Sequence, residues 1–201
     1  MMLKYFITTY FLHLFIYWGY CIYWSRNNIK LILGIKGLKI ISYVLKTQFI
    51  LLPLLGLPVY LLYDKYGNKN SIEYSFYEIY DFICLFLFID ITFYCIHRLL
   101  HTKLFFRYHK FHHSSIFPYP WSALYASIFE NIFLNLLPPL LLPLLLQIKM
   151  PYFVLFISIA TFNSIYTHSK NDLDHAKHHL YYNVNYGVTR YTDILFGTYK
   201  T

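Results

Sequence analysis

Residues 97–113 read HRLLHTKLFFRYHKFHH and place five histidines within seventeen residues of a chain that is otherwise largely apolar. A second stretch, HSKNDLDHAKHH at 168–179, holds four more, so that only His13 of the ten histidines lies outside these two windows. Neutral imidazole binds first-row transition metals well, and helical spacing lets several rings converge on one point. The fold must therefore be one that can bring the two histidine-rich stretches together.

The composition around these stretches indicates a membrane protein. Hydrophobic residues make up 58% of the 201-residue chain and charged residues only 13%, whereas a soluble domain has about 25% charged residues. The formal net charge is +8. Because the basic residues flank apolar runs, this charge favours an anionic membrane surface over nucleic acid as a partner. The three cysteines lie in apolar runs without CxxC spacing, which is typical of buried packing residues and not of a disulfide framework.

Five apolar segments predict helices in the membrane, at residues 5–24, 41–62, 79–96, 123–147 and 151–167. A spanning helix needs about 20 apolar residues, so the last segment is marginal, and Lys46, Pro53 and Pro58 interrupt the second. The first segment ends in bulky aromatic residues and lacks a small-residue cleavage site, so we interpret it as a retained anchor. We expect an all-α, polytopic membrane protein with a four-helix transmembrane core, and a fifth, N-terminal span as an open alternative.

The distribution of charge predicts the orientation of these helices. Residues 25–48 carry five basic side chains and no acid, whereas residues 63–78 have a net charge of −1. The positive-inside rule places the first of these regions in the cytoplasm. If 79–96 then crosses back and the last two segments form a hairpin, His97 and His168 emerge on the same side. We therefore expect a cytosolic helical cap that holds a histidine-rich dimetal site.

The spacing of the histidines is typical of metal ligands. On a helix, HxxxH and HxxHH each place their rings on one face. A single zinc ion needs three or four ligands, so nine histidines on one side of a membrane predict two metals, although an all-histidine ligand set does not separate iron from zinc. A bis-histidine haem would use only two of the nine. The candidate ligands are His97, His101, His109, His112, His113, His168, His175, His178 and His179. We interpret His13 as a hydrogen-bonded side chain near the membrane interface.

Three short motifs occur in order, HRLLH at 97–101, HKFHH at 109–113 and HAKHH at 175–179. They resemble the three histidine boxes of the membrane fatty acid hydroxylase and sterol desaturase superfamily. The tail, HHLYYNVNYGVTRYTDILFGTYK at 178–200, is similar to the HH…NYG…D…GT ending that is familiar from sterol C-5 desaturases (lathosterol oxidases). The resemblance covers about residues 75–200. It divides the chain into N-terminal membrane-anchoring helices at 1–74 and a catalytic domain at 75–201.

The resemblance implies an O2-dependent enzyme of the endoplasmic reticulum membrane, with its histidine boxes facing the cytosol. It implies desaturation or hydroxylation of a lipid in sterol or lipid biosynthesis, most like that of a sterol C-5 desaturase. The implied cofactors are two non-haem iron ions, bound by the nine histidines, for which zinc can substitute in purified protein. Electrons would come from NAD(P)H through cytochrome b5 or a reductase. The basic residues near the histidines would suit an acidic donor of this kind.

The resemblance also assigns Asp90 and Tyr94, which precede the first histidine box, to the catalytic site. Asp90 lies two helical turns below His97, and an acid at that depth in a membrane is costly unless it is paired. We therefore expect Asp90 to anchor a ligand imidazole or another polar group. Tyr94 is expected either to line a lipid tunnel or to serve as ordinary packing.

Two residues of the tail, Asn185 and Asp193, complete the predicted site. Asn185, Tyr186 and Gly187 are expected to form a turn that closes the site, with Gly187 permitting a positive φ. Asp193 is expected to cap or brace this lid. Both residues would then stabilise the shape of the site without taking part in the reaction.

The sequence departs from the family pattern in places, and these departures leave alternatives open. Ser127 stands where the family often has the histidine of a His-Pro-x-acid element, of which Glu130 is retained. Only six residues separate His168 from His175, where relatives often have a longer insertion. A membrane protein that binds zinc, and a catalytically inactive homologue that scaffolds a lipid enzyme, are the alternatives to an active oxidase. A fatty-acyl chain is the alternative to a sterol substrate.

Overall fold

The structure, a computed structural model, describes residues 2–67, 76–116, 118–169 and 173–201. Within these ranges the chain forms helices and turns and contains no strand, which confirms the all-α prediction. Helices satisfy their own backbone hydrogen bonds, as a chain that crosses hydrocarbon must. The predicted boundary between residues 74 and 75, and residues 68–75 of the loop at 63–78, lie outside the described residues, so the boundary stays a prediction.

The helices follow one another with short connections. In chain order they are α1 (Met2–Ser25), α2 (Ile29–Leu33), α3 (Ile35–Lys46), α4 (Leu52–Tyr66), α5 (Phe76–Leu100), α6 (Phe106–His109), α7 (Ile128–Glu130), α8 (Leu137–Leu145), α9 (Met150–Thr167), α10 (Leu173–Tyr181) and α11 (Arg190–Leu195). A π-helical turn at Thr47–Leu51 joins α3 to α4, and a second at Asn131–Leu136 joins α7 to α8. Two 3-10 turns, His112–Ser114 and Pro120–Leu124, lie between α6 and α7.

Four of the described helical segments are long and apolar enough to cross a membrane. They are Ile35–Tyr66, Ile79–Leu100, Ile128–Leu145 and Met150–Thr167. The chain is therefore a multi-pass membrane protein with the predicted four-helix core. The N-terminal α1, the alternative fifth span, is not among the four, and it packs along α4 and α9.

The segment that was predicted to be irregular is an unbroken helix from Ile35 to Tyr66. Pro53 would clash with the carbonyl group of Phe49, four residues earlier, but Phe49 lies in the wider π-helical turn that precedes α4. Pro138 at the start of α8 follows the second π-helical turn in the same way. We infer that the two π-helical turns accommodate the prolines, because their i→i+5 hydrogen bonds change the local spacing of the carbonyl groups.

The histidine-rich stretch at 97–113 is not one continuous helix. Helix α5 ends at Leu100, and His109, His112 and His113 lie on α6 and the 3-10 turn that follows it. His168 is the C-terminal cap of α9, so it does not share a helix with His175 on α10. A common helical face therefore explains only part of the convergence of the rings, and the packing of separate elements provides the rest.

Stacked aromatic rings hold α4 against α9. The ring of Phe153 lies 5.2 Å from that of Tyr60 and 5.1 Å from that of Tyr63, with interplanar angles of 18° and 25°. All three side chains are buried. Because lipid tails are as apolar as the side chains, helices in a membrane associate through close van der Waals packing of this kind.

Polar side chains join α1 to its neighbours. His13 Nδ1 lies 2.9 Å from Thr161 Oγ1 on α9, and Gln48 Nε2 lies 3.2 Å from His13 Nε2. Trp18 Nε1 donates to Gln48 Oε1 at 2.9 Å, which orients the amide so that its nitrogen faces the imidazole. His13 is thus part of a link between three helical segments and lies apart from the other nine histidines.

Replacing Phe153 tests the packing between α4 and α9. Phe153→Ala removes a fully buried ring, a change that costs roughly 3–5 kcal/mol in protein cores, so we expect a clear fall in the thermal unfolding midpoint of the purified protein in detergent. Leu155→Ala on the same helix is the control, because its side chain is 47% exposed, and it should change the midpoint little. Equal midpoints for the two variants would contradict the packing described.

Candidate metal centre

The nine predicted ligands come together at one end of the membrane-spanning helices, where they form two groups. The first group consists of His97, His101, His109, His113 and His178, and the second of His112, His168, His175 and His179. Within each group, one ring nitrogen from every member lies within 4.8 Å of those of all the others. Each group combines rings from both histidine-rich stretches, so neither stretch forms a site alone.

The distances between the facing nitrogens fit a coordination sphere. In the first group, His113 Nε2 lies 3.0 Å, 3.1 Å and 3.2 Å from the Nε2 atoms of His109, His178 and His101. In the second group, His175 Nε2 lies 3.2 Å from that of His168 and 3.1 Å from that of His179. A metal about 2.1 Å from each nitrogen places neighbouring ligand atoms roughly 3.0–3.4 Å apart. The rings are thus spaced as ligands of a common ion.

Backbone carbonyl groups determine which nitrogen of several rings carries the proton. A carbonyl oxygen only accepts, so an Nδ1 atom bonded to it must donate, and the neutral ring then has its lone pair on Nε2. These hydrogen bonds join His97 to the carbonyl of Tyr186, His168 to that of Ser164 and His178 to that of Val184, each at 2.7 Å. Three of the nine lone pairs are therefore aimed at the centres of the groups.

One pair of rings shows why a cation fits the site. His112 Nδ1 lies 3.3 Å from the carbonyl oxygen of Tyr125, so His112, like His168, has its lone pair on Nε2. The Nε2 atoms of His112 and His168 are 3.3 Å apart. Two lone pairs at this distance repel each other unless a positive charge lies between them. A bound metal ion removes this repulsion.

Burial keeps the rings in the neutral form that binds metals. It lowers the pKa of His101 and His112 to about 4 and that of His168 to about 3. Burial, and then repulsion from neighbouring imidazoles, also holds the pKa of His175 and His179 well below the usual value. At neutral pH these rings are unprotonated, and their lone pairs are available to a metal.

Glu130 lies between the two groups and was not among the predicted site residues. Its buried carboxylate places Oε1 3.0 Å from His109 Nδ1 and 4.0 Å from His112 Nδ1, and these rings belong to different groups. The shorter contact lacks the alignment of a hydrogen bond. Ser127 caps α7, since its side chain accepts from the Glu130 backbone N–H at 3.1 Å. The serine at the position where the family often has a histidine therefore fixes the turn that carries Glu130. The sequence signal that could have identified Glu130 is that it is the retained acid of the His-Pro-x-acid element.

Asp90 holds the C-terminal segment against α5. Its Oδ1 accepts from the backbone N–H of Thr189 at 2.9 Å, and its Oδ2 accepts from the Thr189 hydroxyl at 2.6 Å. The polar group that Asp90 anchors is thus Thr189, and no ligand imidazole contacts it among the hydrogen bonds described. Two donors on one carboxylate offset the cost of burying this acid.

Tyr94 packs against the same C-terminal segment. Its ring stacks on Phe196 at 4.7 Å, and its hydroxyl lies 3.1 Å from Thr198 Oγ1 and accepts from Arg98 at 2.9 Å. These contacts leave it outside the large cavity described below. Its place in the structure is that of a packing residue.

Asp193 positions a peptide that orients a ligand. Its carboxylate accepts from the backbone N–H groups of Tyr186 at 2.7 Å and Gly187 at 2.8 Å. The carbonyl of the same Tyr186 accepts from His97 Nδ1. The bracing predicted for Asp193 therefore acts on the backbone that holds the His97 ring in its orientation.

Asn185 ties this turn to the end of the chain, and the turn differs from the prediction in one respect. Its side chain donates to the carbonyls of Asp174 and Lys200 at 3.1 Å and 3.0 Å. The positive φ, 54°, belongs to Asn185 and not to Gly187, whose freedom to adopt one is not used. Glycine is required at 187 for space, because a Cβ atom there would lie 2.2 Å from Thr192 Oγ1.

Comparison with known proteins agrees with this geometry. The family model described as fatty acid hydroxylase matches residues 82–198. The chain belongs to the fatty acid hydroxylase family. No curated protein and no solved structure matches it. Membership of the fatty acid hydroxylase family, together with the two histidine groups, indicates a metal site in a membrane oxidoreductase that acts on a lipid.

A cavity of about 760 Å³ extends from the histidines of this family member into the membrane-spanning helices. Near the histidine groups it is lined by His97, His109, His112, His168, His175 and Glu130. Further into the membrane region it is lined by Phe6, Thr9, Gly56, Tyr60, Leu140 and Phe156. Ligand pockets commonly measure about 300–1,000 Å³. The cavity can therefore hold one lipid with a carbon next to the histidine groups.

Removing one histidine from each group tests whether there are two separate metal sites. His113→Ala takes a ligand from the first group and His175→Ala takes one from the second, so each variant should lose about one metal ion per chain. Elemental analysis of protein purified from iron-supplemented cells measures the content. His13→Ala is the control and should keep the wild-type content. An unchanged metal content in both ligand variants would contradict the assignment.

Acid should destabilise the metal-free protein in a defined range. The unfolded histidines titrate near pH 6.5, whereas burial lowers the folded pKa of His101 and His112 to about 4. Between these values the unfolded state binds more protons, so stability falls as the pH falls. We expect the thermal midpoint of chelator-treated protein to be level above about pH 7.5 and to drop from pH 6.5 to pH 4. A midpoint that stays level down to pH 4 would be inconsistent with buried, neutral rings.

Proposed function

We propose that the chain is an O2-dependent, non-haem di-iron oxidase that desaturates or hydroxylates a lipid. The observation that carries the proposal is that two all-histidine groups, with Glu130 between them, adjoin one cavity of lipid size. The family match supports it, since hydroxylation of a fatty acid is the reaction in the family's description.

The chemistry of the reaction favours iron over zinc. Zinc has no redox chemistry, and no amino-acid side chain can oxidise an unactivated C–H bond. When bound, a pair of iron ions supplies that oxidising power from O2 and from electrons that originate in NAD(P)H. Imidazole ligands suit both metals, so zinc in purified protein would reflect substitution.

The residues of the chain then hold the metal ligands in place, orient the lipid and enclose the site. Carbonyl groups of α9 and of the turn at 184–187 keep the ligand rings in place, so little reorganisation is needed when a metal binds. Asp90 and Asp193 keep the C-terminal segment closed over the first group. The apolar wall of the cavity places the lipid and limits the access of water to the reacting carbon.

Within this class, we propose a sterol substrate and a role in sterol biosynthesis. The support is the tail at 178–200, which resembles that of sterol C-5 desaturases and whose NYG turn orients His97. Ring desaturation of the C-5 type is the reaction that this resemblance favours. A fatty-acyl substrate is the second candidate, and the description of the matching family favours it.

The proposed location is the endoplasmic reticulum membrane, with the histidine groups facing the cytosol. The excess of basic residues at 25–48 supports this orientation. Lys103, Arg107 and Lys110 are exposed beside the first histidine group. They form a basic surface on which an acidic electron donor such as cytochrome b5 would dock.

Lipid analysis with a supplied donor tests the proposed function. Cells that express the wild-type chain with cytochrome b5 and its reductase should accumulate a desaturated or hydroxylated lipid, and only when O2 is present. His113→Ala and His175→Ala should reduce this product at least about 100-fold, because each loses ligands of a metal, whereas Leu155→Ala should retain it. Mass spectrometry of extracted lipids measures the product.

The same preparation separates the alternatives. A protein that carries two iron ions and yields no O2-dependent product would be an inactive homologue. A protein that carries zinc after expression in iron-replete cells would be a zinc-binding membrane protein.

A further inference from the structure

The inner part of the cavity contains a buried hydroxyl group without a hydrogen-bond partner. Tyr60 lines the cavity and is 2% exposed, and its oxygen makes no contact with hydrogen-bond geometry. The Thr9 oxygen, which donates its own hydrogen to the Tyr5 carbonyl at 2.8 Å, is close enough to interact with the phenol but lies outside hydrogen-bond geometry. Buried polar groups are almost always paired, and an unpaired one among membrane helices is costly. The absence of a hydrogen bond at the Tyr60 hydroxyl therefore requires an explanation.

The ring of Tyr60 is held so that its hydroxyl cannot turn to another partner. It stacks on Phe153 at 5.2 Å and meets Phe6 edge-on at 5.5 Å. Gly56, one turn earlier on α4, also lines the cavity, and a Cβ atom there would lie 3.2 Å from the Phe6 ring. The residues at this end of the cavity keep a small space open beside a fixed phenol.

This hydroxyl is remote from the metal ligands. Phe153 precedes His168, the C-terminal cap of α9, by fifteen residues, which corresponds to about 22 Å of helix. Between them, Phe156, Ile157 and Ala160 line the cavity, so it follows α9 over this distance. Tyr60 thus marks the end of the cavity opposite to the histidine groups.

We propose that Tyr60, with Thr9 beside it, binds the hydroxyl group of a lipid that occupies the cavity hydroxyl-first. A lipid hydroxyl both donates and accepts, so it can accept from the phenol and donate to the Thr9 oxygen. An ionised head group does not suit this end, because the described residues that line it carry no charge to pair with it. The inference rests on the proposed function for the identity of the occupant as a lipid, and it adds the recognised group and the orientation.

The orientation decides which carbon can react. With its hydroxyl at Tyr60, a lipid presents to the metals a carbon about 20 Å away along α9. For a sterol this carbon belongs to the alkyl side chain, and for a long-chain alcohol it lies far along the chain. A ring carbon near the sterol hydroxyl would not reach the metals. A sterol bound in this way would be oxidised in its side chain, so this orientation competes with the C-5 ring desaturation that the resemblance of the tail favours, and the product distinguishes the two.

Two conservative variants on one helix test the proposal. Tyr60→Phe removes only the unpaired oxygen, so the ring packing and the stability should be kept. Tyr63→Phe is the matched control, because Tyr63 is also buried and stacked on Phe153, but its hydroxyl donates to the Ile148 carbonyl at 3.3 Å and does not line the cavity. Binding is measured on the purified full-length protein with two pairs of probes, cholesterol against 5α-cholestane and 1-octadecanol against octadecane.

The wild-type protein should bind the hydroxylated member of at least one pair about 3- to 10-fold more tightly, as one hydrogen bond allows. Tyr60→Phe should reduce this ratio to about one, and Tyr63→Phe should keep it. A wild-type protein that prefers neither hydroxylated probe, or a Tyr60→Phe variant that keeps the preference, overturns the proposal. Loss of the preference in both variants also overturns it.

Because binding needs no turnover, this result is independent of the proposed function, which fails if the wild-type protein makes no O2-dependent product. Where cholesterol is oxidised, a side-chain product supports the orientation and a ring product overturns it.

Discussion

Lone pairs on facing imidazoles are the constraint on which the rest of the structure depends. Nε2 atoms of the nine histidines approach one another to 3.0–3.3 Å inside a buried volume, and at least His112 and His168 turn lone pairs towards each other. Without a cation this arrangement is repulsive, and burial prevents protons from supplying the charge because it lowers the pKa values of these rings. A bound metal ion would therefore stabilise the histidine end of the molecule, because it supplies the charge that relieves this repulsion.

The C-terminal segment helps to keep the ligand rings oriented. The peptide of Tyr186 accepts from His97 on one side and donates to Asp193 on the other, and Thr189 is clamped by Asp90 on a membrane-spanning helix. The acid in the membrane thus acts at a distance, by holding a segment that holds a ligand. Glu130 has a more direct position, between one ring of each group.

The membrane-spanning helices enclose the inner part of the cavity. Aromatic stacking between α4 and α9 and the polar link from α1 through His13 and Gln48 keep three helical segments around it. The π-helical turns that precede Pro53 and Pro138 let the helical segments Ile35–Tyr66 and Ile128–Leu145 stay continuous where an ordinary helix would be distorted. The inner end of the cavity is mostly apolar, so the polar groups there, Thr9 and Tyr60 among them, influence how a lipid lies.

Local sequence was sufficient for the parts of this protein that depend on local physics. Runs of about 20 apolar residues predicted the helices and the multi-pass character, because backbone hydrogen bonding in a membrane leaves few other solutions. The spacing and number of the histidines predicted two metal sites, and the order of the three boxes with the NYG tail led to the family that the comparison shows. The division of the ligands into two groups could not be predicted from their spacing, since His112 and His113 are neighbours in sequence but belong to different groups.

Tertiary structure alone decided how the pieces meet. The break after Leu100, the partner of Asp90, the left-handed backbone at Asn185 in place of Gly187, and the position of Glu130 between the two groups all depend on contacts between residues far apart in the chain. The same is true of the unpaired hydroxyl of Tyr60, which is one of 23 tyrosines and has no distinguishing sequence context. Periodicity reports which face of a helix is apolar, but not which side chain from another helix will face it, because that depends on the packing of the whole bundle.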